Sequence, residues 1–403
     1  MSVTDRFLRY VAYPTQSSTE SGTHPSTAGQ IDLAARLAAE LSELGLTVTG
    51  PDGHGYVYAT LPASASGAPS VGLIAHMDTS PDASGENIAA RVVKYTGEDI
   101  ILNSERGIVL SARDYPALSG YLGQSLVVTD GTTLLGADDK AGIAEIMTAL
   151  ERIVGENVPH GKICVAFTPD EEIGEGADFF DVGLLGADFA YTVDGGALGE
   201  VEYENFNAAS AKVSVCGVSI HPGSAKGKMK NAARIVSEFN SLLPSEEIPE
   251  LTDGYSGFHH LLSISGSCES ASAEYIIRDH DMALFTEKKR QFTLAAEKIN
   301  EKYGAGTLTL ELRDSYYNMR EIIERDMSVV ERALTAMRDE GVNPRVIPIR
   351  GGTDGARLSF MGLPCPNLST GGENFHSRFE FIPVESMEKM CDVLVRLVRN
   401  LTL

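Results

Sequence analysis

The stretch Val71-Gly72-Leu73-Ile74-Ala75-His76-Met77-Asp78-Thr79 decides the reading of this chain. An uncharged apolar run of this kind is expected of a strand covered on both faces. It ends abruptly in a histidine and an aspartate two positions apart. Side chains alternate along a strand, so His76 and Asp78 project to the same side if the extended geometry persists. An aspartate so placed can orient the imidazole of a metal-ligating histidine. Taken alone, the pattern reads more readily as a strand end with a solvated turn, and its meaning rests on what accompanies it.

Two more uncharged runs end in acid: Ile163-Cys164-Val165-Ala166-Phe167 leads to Asp170-Glu171-Glu172, and Phe189-Ala190-Tyr191-Thr192-Val193 leads to Asp194. Between them, Gly136-Ala137-Asp138-Asp139-Lys140-Ala141-Gly142 precedes Ile143, Ile146, Met147 and Leu150 at helical spacing, so Asp138 sits just before a helix N-terminus. In open α/β sheets ligands bind outside the carboxyl ends of strands. His76, Asp78, Asp138, Asp170, Glu171, Glu172 and Asp194 are therefore expected on one edge. A lone acid there is usually a cap or a solvated turn, but the Glu171-Glu172 pair adds repulsion that calls for a cation. His376, in the Gly-rich Thr370-Gly371-Gly372-Glu373-Asn374-Phe375-His376, supplies a further imidazole.

Imidazole and carboxylate without thiolate suit Zn²⁺, Mn²⁺ or Co²⁺, and two histidines with several carboxylates suit a two-metal hydrolytic site better than a closed structural zinc. A hydroxide held between cations ~3.5 to 4 Å apart would attack a polarised carbonyl, with a nearby glutamate as general base. One of the adjacent glutamates would bind metal while the other faces the water. Neither Gly-x-Ser-x-Gly nor His-Glu-x-x-His occurs, and Gly155 to Lys162 departs from a phosphate loop in spacing and in Ile163.

At 403 residues the chain is expected to hold two domains. The formal charge of -23 argues against nucleic acid or an anionic membrane surface as partner. No run approaches the ~20 apolar residues of a membrane helix, and the first residues lack the apolar core of an export signal. Cys164, Cys216, Cys268, Cys365 and Cys391 are odd in number, widely spaced and read as small core residues in a reducing cytoplasm.

The opening is helix (27 to 45), then strands (56 to 61 and 71 to 75), an α/β pattern with a mixed, mainly parallel sheet covered by helices; residues 80 to 130 are less regular, with short strand-like pieces at Ile100-Ile101-Leu102 and Leu126-Val127-Val128, and read as an insertion. From 208 to 314 the order becomes strand, helix, strand, strand, helix, strand, the ferredoxin-like βαββαβ unit. A helix near 326 to 340, a short strand at 345 to 349 and an amphipathic helix from about 384 complete the chain. The expected domains are 1–207 with 315–403, and an inserted 208–314.

The set His76-x-Asp78, Gly136 to Gly142, Glu171-Glu172, Asp194 and His376 resembles the co-catalytic two-zinc peptidases, whose relatives include carboxypeptidases and amino-acid deacylases. Within that family the segments Leu134 to Glu145, Ser219 to Gly227 and Arg350 to Phe360 are most similar to its tripeptide aminopeptidases, and the resemblance covers nearly the whole chain. It implies two Zn²⁺ per subunit, with Mn²⁺ or Co²⁺ as substitutes: His76 and Asp194 on one, Glu172 and His376 on the other, Asp138 bridging. It also implies Glu171 as general base, Asp78 holding His76, and a cis Asp138-Asp139 bond.

The inserted domain resembles the family's lid and dimerisation module, which implies that His221 reaches the substrate carbonyl, from its own subunit or from the partner of a homodimer; by itself His221 before Pro222 reads as a surface turn. Asn231, Arg278 and Arg350 are candidates for substrate contact, with exposed-face or ion-pair roles open for Arg278 and Asn231. Asp354 is a cap or a substrate contact. Lys226, Lys228 and Lys230 read as a solvated helix start, and the remaining six histidines as structural. The expected activity is removal of the N-terminal residue from short peptides by a cytoplasmic enzyme. The alternatives are a carboxypeptidase or deacylase on the same scaffold, and a non-enzymatic metal-dependent interaction protein.

Overall fold

The computed structural model describes residues 1–403 and divides into two compact units. The first comprises Met1–Tyr203, Met319–Ile347 and Thr353–Leu403, the second Glu204–Asn318 and Pro348–Gly352. The second unit is thus wider than 208–314. Asn205 bridges to Ile349, which draws a short returning segment into it.

The first unit is built on an eight-stranded mixed sheet in the order Thr47–Thr49, Val57–Leu61, Ile163–Thr168, Val71–His76, Phe189–Gly195, Asn367–Ser369, Glu200–Glu202, Arg345–Val346. Val71–His76 lies between Ile163–Thr168 and Phe189–Gly195 and runs parallel to both. These strands therefore end on one edge, bringing His76, the turn after Thr168 and Asp194 together. Every residue of Val71–His76 and Ile163–Thr168 is buried, which accounts for their uninterrupted apolar character.

The helix Ala137–Gly155 packs against Val71–His76 and Phe189–Gly195 and is backed by Val384–Asn400 and Val3–Tyr10. Its close approach to the sheet depends on Gly142, where a Cβ would overlap the Val193 carbonyl oxygen. Asp138 and Asp139 at its start have non-helical dihedrals, and the peptide bond between them is cis.

Residues 80 to 130 are more ordered than an irregular insertion. Arg91–Lys94 pairs with Ser125–Val128, which in turn pairs with Phe381–Pro383 from the C-terminal part, over a small core of Tyr95, Leu110, Leu118, Val128 and Phe381. The strand-like pieces at 100–102 and 126–128 do form strands, Ile100–Asn103 and Ser125–Val128, but their partners lie outside any local period. The expectation of five core cysteines is also corrected. Cys164, Cys365 and Cys391 are buried, but Cys216 is exposed and Cys268 intermediate, and all five are free thiols. Cys216 ends a strand whose buried and exposed residues alternate, which puts it on the outward face.

The second unit has the expected βαββαβ order: Asn207–Cys216, Ala232–Ser241, Phe258–Gly266, Ser270–Asp279, Met282–Tyr303, Leu308–Tyr316. Its antiparallel sheet has Asn207–Cys216 between Ser270–Asp279 and Leu308–Tyr316, with Phe258–Gly266 at one edge. The two helices cover one face over a core that includes Phe239, Phe285 and Phe292. No helix of the chain is long and apolar enough to cross a membrane.

Candidate metal centre

Five side chains form two ligand-like triads that share one residue. His76, Asp138 and Asp194 each bring a donor atom within 4.8 Å of the others, as do Asp138, Glu172 and His376. The carboxylate of Asp138 is divided between them. Its Oδ1 lies 2.8 Å from His76 Nε2, and its Oδ2 lies 3.2 Å from His376 Nε2. Asp194 Oδ1 stands 3.3 Å from His76 Nε2 and Glu172 Oε2 stands 2.9 Å from His376 Nε2. Both imidazoles thus turn Nε2 toward carboxylates.

Asp78 lies beneath this group, fully buried. Its Oδ1 is 3.2 Å from His76 Nδ1 and accepts the Glu171 N–H, while its Oδ2 accepts the Glu172 N–H. The backbone carbonyl of Asp78 also lies 3.1 Å from His76 Nδ1. Asp170 keeps its carboxylate away from the triads. It accepts from the Ser26 N–H and hydroxyl and from Gln30 Nε2, and its own N–H donates to Gln30 Oε1. It thereby holds the turn that carries Glu171 and Glu172. Thr353 caps the short helix Asp354–Phe360 by accepting the Gly355 N–H, whereas Asp354 lies in its first turn and its Oδ2 accepts from the Thr168 hydroxyl.

Burial pushes Glu172 up to about 7, reinforced by the Asp138 carboxylate, and it pushes Asp194 up to about 7 as well. Burial, then Asp194, hold Glu171 well above the usual carboxylate range. For Asp138 burial acts in the same direction, but the His376 and His76 imidazoles outweigh it and hold that carboxyl well below its ordinary value. Hydrogen bonds to Asp138 and Glu172 push His376 up to about 11. The buried Glu172 Oε1 has no hydrogen-bond partner. Crowded, partly unsatisfied carboxylates facing two imidazoles are the donor set that divalent cations satisfy, so the residues present fit a pair of them.

Sequence reasoning missed three residues here. Glu380, 2% exposed, accepts the backbone N–H groups of Leu135, Gly136, Ala137 and Asp138, at 2.7, 2.9, 2.7 and 3.2 Å. It binds the loop that presents Asp138. The one signal was an acid inside the apolar Phe379-Glu380-Phe381-Ile382 run. Asp82 Oδ2 stands 3.2 Å from His376 Nδ1, and Asp139 Oδ2 accepts the His76 N–H.

The proposed substrate residues all lie in the second unit. His221 is exposed, and its Nδ1 accepts the Gly223 N–H. Asn231 Oδ1 caps the helix Ala232–Ser241 by accepting the Arg234 N–H. Arg278 Nη1 donates to the Ala209 and Ile277 carbonyls, and its guanidinium lies over the Tyr316 ring. Arg350 donates to the Thr252, Gly254 and Ser256 carbonyls and lies over Phe206 and Phe258.

The model of the peptidase family M20/M25/M40 matches residues 128–400. The chain belongs to this family. Its relatives include Peptidase T of Caldanaerobacter subterraneus subsp. tengcongensis, 55% identical over 98% of each chain, and Peptidase T of Clostridium novyi, 52% identical with the same coverage. Among solved structures, aminopeptidase PepT from Bacillus cereus superposes with a TM-score of 0.79 at 24% identity, over 100% of this chain and 98% of that one. A tripeptidase from Staphylococcus aureus superposes at 0.78 with 22% identity, over 99% and 98%. Both share the fold described above.

Proposed function

We propose that this chain is a cytoplasmic, metal-dependent aminopeptidase that removes the N-terminal residue from short peptides, tripeptides above all. The observation that carries this is the split carboxylate of Asp138, with one oxygen toward His76 and the other toward His376. That arrangement suits a bridge between two ions. The Peptidase T name of relatives more than half identical supports the substrate class, and five free thiols support a reducing compartment.

His76 and Asp194 would hold one Zn²⁺, Glu172 and His376 the other, and Asp138 both, with Mn²⁺ or Co²⁺ as substitutes. When bound, such a pair supplies Lewis acidity, acidifying a water and polarising the scissile carbonyl. Glu171 takes the proton of the attacking water at a carboxylate oxygen, then gives it to the amide nitrogen as the C–N bond breaks. Asp78 keeps His76 in the tautomer that leaves Nε2 free as a ligand, and its grip on the Glu171 and Glu172 N–H groups keeps their side chains apart in role.

For the substrate's remaining contacts we assign His221 to the carbonyl. Arg278, through the donors its two carbonyl contacts leave, and the amide nitrogen of Asn231 would meet the carboxyl end. Arg350, with both Nη atoms already donated, would shape the surface. A homodimer through the second unit is supported by its edge strand Phe258–Gly266, which exposes Leu262 and Ile264.

The deciding test compares a free tripeptide with its N-acetyl form, with and without chelator. Cleavage of the free peptide alone, lost on chelation and restored by Zn²⁺, is expected. Equal rates on both forms would overturn the aminopeptidase reading in favour of a carboxypeptidase, and cleavage of the acetylated form alone in favour of a deacylase.

A further inference from the structure

A third group of metal-capable side chains lies in the first unit, apart from the two triads: His24, Asp170 and Glu175. His24 Nδ1 stands 3.3 Å from Asp170 Oδ2 and 3.7 Å from Glu175 Oε2. In a tetrahedral site with bonds of about 2.0 to 2.1 Å, neighbouring ligand atoms are about 3.3 to 3.4 Å apart. The observed spacings are close to that edge length.

The His24 side chain is only 8% exposed, yet neither ring nitrogen has a hydrogen-bond partner. Burying an imidazole without partners is costly. Its plane is set by the Tyr56 ring, stacked at 5.7 Å, and by the Phe179 ring at 4.9 Å. These contacts aim Nδ1 at the two carboxylates. The Asp170 carboxylate is itself oriented by Ser26 and Gln30, the kind of support that ligating carboxylates carry. Glu175 is 47% exposed, which leaves an entry path and room for water as a further ligand.

We propose that His24, Asp170 and Glu175 bind a third divalent cation of borderline softness, Zn²⁺ being the best fit. The site would act as a clamp. Asp170 and Glu175 are the two ends of the turn that carries Glu171 and Glu172, closed by the Glu175 N–H donating to the Asp170 carbonyl. Joining their carboxylates to His24 ties that turn to the loop before the helix Ala28–Glu43.

The test is equilibrium dialysis of the full chain against Zn²⁺ at pH 8, followed by metal analysis, for the unaltered protein, His24→Ala and Glu175→Gln. Each variant should retain one equivalent fewer than the unaltered chain, and the Zn²⁺-induced rise in Tm should shrink in both. Glu175→Gln guards against a folding failure of His24→Ala, since its side chain is half exposed. The difference between chains does not depend on how many ions the main centre holds, so it stands or falls separately from the two-ion reading. Equal stoichiometry in all three proteins would overturn the proposal and leave His24 as a side chain that only packs beside the two carboxylates. Loss of more than one equivalent from both variants would overturn it too, by showing that the cluster acts only through the main centre.

Discussion

Asp78 Oδ1 stands 3.2 Å from His76 Nδ1 while the same carboxylate accepts the N–H groups of Glu171 and Glu172. One buried side chain therefore sets the tautomer of an imidazole and the position of the neighbouring acidic turn. Asp78→Asn keeps the shape but replaces one acceptor oxygen with a donor that faces an N–H. Metal affinity and kcat should each fall by roughly 10- to 100-fold, read by dialysis and by steady-state rates. Unchanged values in both would show that Asp78 merely fills space.

Glu171 and Glu172 are adjacent and should fail differently. Glu171→Gln should lower kcat by roughly 10²- to 10⁴-fold with metal content intact. Glu172→Gln should lose about one metal equivalent. Metal analysis beside kinetics separates the two, and matching phenotypes would refute the division of roles.

Glu380 offers two oxygens to four N–H donors. In Glu380→Gln one oxygen becomes an NH₂ group pointing at donors, and an unsatisfied buried group costs about 1 to 3 kcal/mol. The variant should unfold at lower urea concentration and lose activity through kcat, because the loop that presents Asp138 is released. Retained midpoint and kcat would show that water can replace the carboxylate.

Gly142→Ala would set a methyl group against the Val193 carbonyl oxygen. The helix must shift from the sheet, moving Asp138 away from Asp194. A stability loss of about 1 to 3 kcal/mol is expected, together with weaker metal retention; a well-folded variant with full metal content would sink this account.

Glu202 should make stability depend on pH. Burial pushes its carboxyl up to about 7, although Asn367 Nδ2 donates to it at 2.7 Å. Its folded value thus lies above the unfolded one of 4.5. The folded chain holds the proton more tightly, so this contribution to stability is complete below the unfolded value, declines as pH rises between the two, and is gone above about 7. Glu202→Gln removes the dependence. It should match the parent near pH 4.5 and exceed it at pH 8 by about 1 to 3 kcal/mol, measured as the difference in urea unfolding free energy. An equal difference at both pH values would rule this out.

Much of this molecule was legible along the chain because strands and helices write their period into neighbouring residues. The uncharged runs ending at His76, Thr168 and Asp194 reveal buried parallel strands, and the βαββαβ order of the second unit follows from the same periodicity. Placing acids at the carboxyl ends of such strands needs no more than the topology rule. The division of the Asp138 carboxylate between His76 and His376 is different, because it depends on a turn geometry at Asp138-Asp139 and on a histidine more than two hundred positions away. Glu380 and Asp82 were silent for the same reason, since each acts on groups far away in sequence. His24 read as structural, one imidazole in a polar loop, until folding brought it beside Asp170 with no other partner for its nitrogens. The sequence by itself determined which elements form and which chemistry their ends can carry, since both depend on local pattern and residue type. Only the tertiary structure decided which donors converge, because convergence is set by packing between segments that share no local signal.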